Sequence, residues 1–216
     1  MQELETYYAK RAKEHDKVYF KPERQADLTL LRKELPEMVE GKKVLDIGCG
    51  TGYWTQYLSQ QAASITGIDI NQAVLNEAAL REYGCTIYFQ VGSYYELSSL
   101  NEMYEVVFGG FVYSHVPKEK EAAFFHSILE KLAPGGQIIL LDNKYVEGSS
   151  TPIARTDAAG NTYQTRKLES GERFEILKNF PEEQAFLNLS KVGLELLTFQ
   201  QLPYYWKATL VKTETL

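Results

Sequence analysis

The stretch Lys43-Val44-Leu45-Asp46-Ile47-Gly48-Cys49-Gly50-Thr51-Gly52-Tyr53-Trp54 decides the fold. A short apolar run ends in an acid, breaks into alternating glycines and passes into a helical pattern. That order is strand, tight turn and helix start, the layout of a nucleotide-type cofactor site. Glycines let backbone approach a ligand and take φ values that a side chain forbids. The dinucleotide fingerprint G-x-G-x-x-G does not fit. Its third glycine would fall on Tyr53 if counted from Gly48, and on Thr55 if counted from Gly50. What stands is Asp46-x-Gly48-x-Gly50-x-Gly52.

This pattern resembles motif I of the class I S-adenosylmethionine-dependent methyltransferases. The resemblance implies that the amino-acid end of S-adenosylmethionine lies against Gly48, Cys49, Gly50 and Gly52. Asp46 would attract its amino group, directly or through water. Downstream, Ser64 to Ile70 is a second strand, and Asp69 lies 21 positions after Gly48. An acid there can reach ribose hydroxyls, since two acceptor oxygens match two vicinal donors. The competing role for Asp69 is N-cap of a helix over residues 72–83. Ile70 would lie against the adenine. A third strand, Cys85 to Val91, ends at Gly92-Ser93-Tyr94. The family commonly has Gly-Asp-Ala here, with the acid on the adenine amino group. Ser93 offers an uncharged hydroxyl instead, and Tyr94 adds packing. The fourth strand, Glu105 to Phe111, is apolar as a buried parallel strand should be. In the family its end, here Gly110 and Phe111, faces the sulfonium and its methyl group. A helix over residues 118–132, the turn Pro134-Gly135-Gly136 and a fifth strand from Gln137 to Asp142 continue the pattern.

Upstream, residues 1–40 read as a helical cap. Leu4, Tyr7, Tyr8 and Arg11 fall at helical spacing, Tyr19 to Pro22 break it, and a second helix from Ala26 to Leu35 stops near Pro36. Such a cap can cover the crevice, with Tyr8 toward cofactor and Tyr19 toward substrate. Beyond the fifth strand the strand–helix alternation fails. Residues 143–180 form an insertion in which Thr162 to Leu168 and Arg173 to Leu177 make a β-hairpin. It lies where open α/β sheets bind ligands, so it is expected to be a lid or substrate wall. It carries Lys144, Arg155, Arg166, Lys167, Arg173 and Lys178. Arg155 is the first choice to hold an anion, because it sits in the irregular part, with Asn143 and Tyr163 adding hydrogen bonds. A last helix from Pro181 to Val192 and two antiparallel strands close the chain. The expected fold is therefore α/β: one Rossmann-like, mostly parallel seven-stranded sheet flanked by helices, its last strand antiparallel. A single domain of 216 residues contains the cap (1–40), the cofactor core (42–142), the insertion and residues 181–216.

The composition, 44% hydrophobic and 24% charged, is ordinary for a globular chain. A net charge of −6 weighs against a nucleic-acid substrate. No apolar run approaches ~18 residues, and Met1 to Glu5 lacks a signal-peptide pattern. Cys49 and Cys85 read as free thiols, and no metal-ligand spacing occurs. The expectation is a cytoplasmic enzyme, monomer or homodimer, with no metal and no membrane partner. Tyr53-Trp54-Thr55 and Ser114-His115-Val116-Pro117 also look like a bacterial subgroup of small methyltransferases. That subgroup has some likeness to O-methyltransferases acting on anionic acids. Methyl transfer to an ionised oxygen needs no base, whereas a hydroxyl or amine benefits from one. His115 is the candidate base, against the alternative of a structural histidine bonding the turn before Pro117, while His15 and His126 read as surface residues. The leading function is methyl transfer to a small-molecule acceptor, an acid or a hydroxyl compound. The alternatives are a non-catalytic S-adenosylmethionine-binding regulator and an N-methyltransferase.

Overall fold

The computed structural model describes residues 2–213. The chain opens with α1 (Gln2–Arg11), a run of 3-10 turns to Phe20, and α2 (Gln25–Met38). Then come β1 (Lys43–Ile47), α3 (Tyr53–Leu58), β2 (Ser64–Asp69), α4 (Gln72–Ala78), β3 (Thr86–Val91) and β4 (Tyr104–Gly110). They are followed by α5 (Glu121–Leu129), β5 (Leu132–Asn143), β6 (Arg155–Thr156), β7 (Thr162–Lys167), β8 (Arg173–Leu177), β9 (Leu194–Gln201) and β10 (Tyr205–Lys212). Seven strands form one sheet in the order β3-β2-β1-β4-β5-β10-β9. β10 is antiparallel to both neighbours and the other pairings are parallel. β1 pairs with β2 on one side and β4 on the other, so the chain reverses its winding there. The carboxyl ends of β1 and β4 are thus the switch point where such sheets bind ligands.

Strand alternation decides which residues meet which helices. On β1 and β4, Leu45, Ile47 and Val107 point into one core with Phe124, Phe125 and Ile128 of α5. Val44, Val106 and Phe108 point into the other, with Leu28, Leu31 and Leu35 of α2 and Leu58 of α3. Each such side chain contributes roughly 1.5–3 kcal/mol of apolar burial, and both faces are covered. β6, β7 and β8 form a separate three-stranded antiparallel sheet, which adds a short strand to the expected hairpin. No helix among the described residues is long and apolar enough to cross a membrane.

Several helices differ from the sequence expectation. α2 runs through Pro36, which costs a single backbone bond in the last turn. α4 stops at Ala78, where the hydroxyl of Tyr83 donates to the Ala78 carbonyl and the next turn is drawn toward the glycine loop. α5 ends at Leu129, and Leu132 already belongs to β5. The Pro134-Gly135-Gly136 turn becomes a bulge inside that strand: the register jumps from Tyr104↔Leu132 to Val106↔Gln137. Residues 181–192 form no α-helix, only 3-10 turns at Glu183–Ala185 and Leu189–Val192. Phe186 is the single deeply buried anchor there and Leu187 is exposed, so a long helix would have no continuous apolar face to bury.

Candidate active site

The glycine turn is built by conformations that L side chains avoid. Gly48 has φ +63°, and a Cβ there would lie 2.3 Å from Cγ1 of Val112. Gly52, at φ +74°, caps the start of α3 against Tyr83 and falls outside the crevice. Gly48, Cys49, Gly50 and Thr51 line a crevice of about 140 Å³, together with Asp46, Asp69, Ile70, Ser93, Tyr94 and Gly110. Asp69 accepts the backbone N–H groups of Gly50 at 3.0 Å and Asn71 at 2.9 Å, tying the turn to the end of β2. The N-cap of α4 is Asn71, whose side chain accepts from the Ala73 amide, so Asp69 does not serve as that cap. Asp46 accepts the Thr55 hydroxyl at 2.6 Å. Burial and then the nearby Asp69 charge push its carboxyl up to about 7, the Thr55 bond opposing them. Two carboxyl groups in the crevice, Asp46 buried and Asp69 partly so, would repel a pyrophosphate. They suit a ligand that brings an ammonium group and hydroxyl donors, so the residues fit S-adenosylmethionine. Ser93 Oγ accepts the Tyr95 amide at 3.2 Å, and Tyr94 packs on Phe124.

The N-terminal segment closes the crevice. Leu4, Glu5, Tyr8, His15 and Tyr19 line it. Asp16 latches the cap to the glycine loop, accepting from Thr51 Oγ1 at 2.7 Å and pairing with Arg81, which also donates to the Thr51 carbonyl at 2.6 Å. At the other end, Lys10 and Lys17 pair with Glu172 and Glu169 of the insertion. His15, expected on the surface, is instead turned inward beside Gly50. His115 is buried and lines the crevice. Its Nδ1 is 2.6 Å from the Leu177 carbonyl and its Nε2 is 3.0 Å from the Tyr8 hydroxyl. Burial, then Lys178 and Arg166, push its imidazole down to about 3.

A second cavity of about 490 Å³ adjoins the first. Tyr8, His15, Tyr19 and Phe111 line both and form the seam. Phe111 holds φ +63°, a left-handed conformation costly for a bulky residue, and its ring lies 5.9 Å from Tyr19 and 5.8 Å from Tyr205. Arg11, Lys21, Arg24, Arg166, Lys178 and Asn143 surround the second cavity. Lys178 is buried, 2.7 Å from Asp142 and 2.5 Å from the Ser114 hydroxyl. Arg24 donates to Asn143 at 3.0 Å and to Ser149 at 3.1 Å. Arg166 donates to Gln164 at 2.9 Å, and its buried Nε has no hydrogen-bond partner. Arg155 and Tyr163 line neither cavity. The Arg155 guanidinium lies 3.6 Å over the Tyr163 ring and pairs with Glu175, while the Tyr163 hydroxyl donates to Asp157. The first choice for holding an anion therefore moves from Arg155 to Arg166, Lys178 and Arg24.

A family model described as a methyltransferase domain matches residues 44–136. The ubiquinone biosynthesis O-methyltransferase of Pseudomonas aeruginosa is 36% identical over 103 residues, 46% of this chain and 44% of that protein. The chain thus spans less than half the length of the curated relatives it matches. Among solved structures, the DhpI–SAH complex superposes with a TM-score of 0.81 at 24% identity, covering 99% of this chain and 97% of the other. The DhpI–SAM–HEP complex gives 0.80 at 24% identity over 97% and 96%. At that identity the likeness concerns the fold, and it takes in cap and insertion as well as sheet. The glycine turn with its two carboxylates, the strand order with β10 reversed and the matched domain agree: residues 44–136 are similar to a methyltransferase domain, and the chain as a whole shares the fold of structures solved with SAM or SAH.

Proposed function

We propose that this chain transfers the methyl group of S-adenosylmethionine to an oxygen of a small anionic acceptor seated in the second cavity. The observation that carries the reading is the cationic lining. Arg11, Lys21, Arg24, Arg166 and Lys178 gather there in a chain of net charge −6. Among the described residues, Lys178 alone of these five is ion-paired, with Asp142. The two carboxylates in the lining, Glu14 and Glu169, both pair with Lys17, and cations left in such excess favour an anionic ligand. The relatives' O-methyltransferase names support oxygen as acceptor atom, and the neighbours solved with SAM or SAH support the cofactor. The relatives' own acceptor does not follow. Apart from Phe111, the second cavity is lined by residues 7–24 and 143–205, outside the matched domain.

When bound, the cofactor supplies an activated methyl group with a neutral leaving group. The chain's residues do the rest. Asp46 holds an ammonium, Asp69 accepts ribose hydroxyls beyond its two backbone bonds, and Ile70 and Tyr94 flank the adenine side. Tyr19 and Phe111 exclude water at the seam and hold the reacting atoms in line. Titration of inorganic phosphate into enzyme saturated with S-adenosylhomocysteine tests the reading. Saturable binding that weakens at least ~10-fold in Arg166→Gln is expected, the loss of a charge-assisted contact. Absence of phosphate binding, with S-adenosylhomocysteine bound normally, rejects the anionic acceptor.

A further inference from the structure

We propose, resting on that reading, that Tyr8 is a catalytic residue that takes the hydrogen of a neutral hydroxyl on the acceptor and passes its own to His115. The substrate class is then a hydroxy acid: its anionic end rests on Arg166 and Lys178, and its hydroxyl, not its charged oxygen, receives the methyl group.

The direction of one hydrogen-bond chain carries this. A carbonyl only accepts, so the 2.6 Å contact between His115 and Leu177 places a proton on Nδ1. The imidazole is buried beside two cations and stays neutral, so Nε2 is an acceptor. The Tyr8 hydroxyl, 3.0 Å away, must donate to it. With its hydrogen committed, the Tyr8 oxygen offers only lone pairs to its surroundings. Tyr8 lines both cavities, whereas His115 lines only the cofactor crevice. An acceptor in the second cavity therefore meets Tyr8, and His115 acts through it. Lone pairs repel an ionised oxygen and welcome an O–H. In the step, the acceptor oxygen forms the bond to the methyl carbon, and the carbon–sulfur electron pair stays on sulfur. The acceptor proton moves to the Tyr8 oxygen and the Tyr8 proton to Nε2, leaving an imidazolium that later releases its proton to water. Burial is the main reason that His115 is a weak base; an anionic substrate beside Lys178 and Arg166 offsets the two cations that add to it, while Asp142 already opposes them. The relay thus strengthens when the substrate is in place.

The test compares alkyl phosphates of two to four carbons with their ω-hydroxy counterparts, by calorimetry on enzyme saturated with S-adenosylhomocysteine. Wild type should bind a hydroxy compound about 5–10-fold more tightly than its plain partner, the worth of one hydrogen bond. Tyr8→Phe should erase that difference and leave the plain alkyl phosphates unchanged, which also shows that the variant is folded. A compound that turns over should yield a methyl ether. A hydroxyl that brings no gain, a gain that survives in Tyr8→Phe, or a methyl group found on a phosphate oxygen overturns the relay while the cationic cavity stands. If no phosphate of either series binds, the cationic-cavity reading fails and takes the relay with it.

Discussion

Cofactor binding should release a proton, and Asp46 sets how much. Its carboxyl is fully buried, has Thr55 as its hydrogen-bond donor, and is pushed up to about 7. At neutral pH it is therefore about half protonated in the free enzyme. An ammonium at salt-bridge distance, ~4 Å, is worth ~4 kcal/mol at an effective dielectric near 20, or about a thousandfold in acidity. That brings the carboxyl from about 7 to roughly 4, so the complex holds it ionised. Binding of S-adenosylhomocysteine, which keeps the amino group, should then release about half a proton at pH 7. The release should approach one near pH 5.5 and vanish by pH 9. Calorimetry in buffers of different ionisation enthalpy measures it directly. Asp46→Asn should bind more weakly and release none at any of these pH values. A release that does not change between pH 5.5 and 9, or that persists in Asp46→Asn, would refute the placement of the amino group beside Asp46.

The same carboxyl and His115 oppose each other in stability. His115, at about 3 when folded against ~6.5 unfolded, contributes stability that is full above pH ~6.5 and is lost as pH falls toward 3. Asp46, raised on folding, contributes stability that is full below pH ~4 and is lost as pH rises through 7. Between pH 4.5 and 6.5 the two nearly cancel, so Asp46→Asn should steepen the rise of stability with pH by up to ~1.4 kcal/mol per pH unit in urea melts, and parallel profiles would count against it. Lys178→Met strands Asp142 in the core without its cation and should cost about 3–5 kcal/mol; Asp142→Asn added to it should recover much of the loss in denaturant titrations. Gly48→Ala meets both the positive φ and the Val112 methyl at 2.3 Å, so a loss of at least ~1–3 kcal/mol and of S-adenosylhomocysteine binding is expected. Arg155→Ala should leave the acceptor KM unchanged in steady-state kinetics, because Glu175 and Tyr163 already occupy that guanidinium; a rise beyond a few-fold would return it to the site.

The cofactor side was legible because its chemistry is local. Asp46, Gly48 and Gly50 are close neighbours in sequence, and a strand feeding a positive-φ turn leaves one arrangement open to them. Asp69 needed only the pairing of β2 with β1, which the alternation of strands and helices announces. The cap reads from sequence as a cover for the crevice, with Tyr8 and Tyr19 turned toward it, but with His15 on its outer face. His15 looks like a solvated helical residue, yet the run from Ala12 to Phe20 is 3-10, with three residues per turn rather than 3.6. Helical spacing therefore misassigns its faces, and His15 turns toward Gly50.

The acceptor side is assembled by closure of distant segments, and irregular sequence proved a poor guide to it. Arg155 stood out because its surroundings lack periodicity, but an exposed edge arginine finds its own carboxylate across the small sheet. The better signal was period two. On β8, Phe174 and Ile176 mark the inward face, and Lys178 falls at the next position of the same alternation. Their partners across the ladder are Arg166 and Gln164. A lysine where a strand's apolar face predicts another isoleucine must be buried, and a buried lysine requires a carboxylate. Asp142, directly after the aliphatic run of residues 138–141 in β5, is the matching anomaly. Each residue breaks its own strand's pattern. Pairing the two would have docked the insertion on the carboxyl end of β5 and carried Arg166 into the second cavity, placing the cationic wall beside the glycine turn from sequence alone.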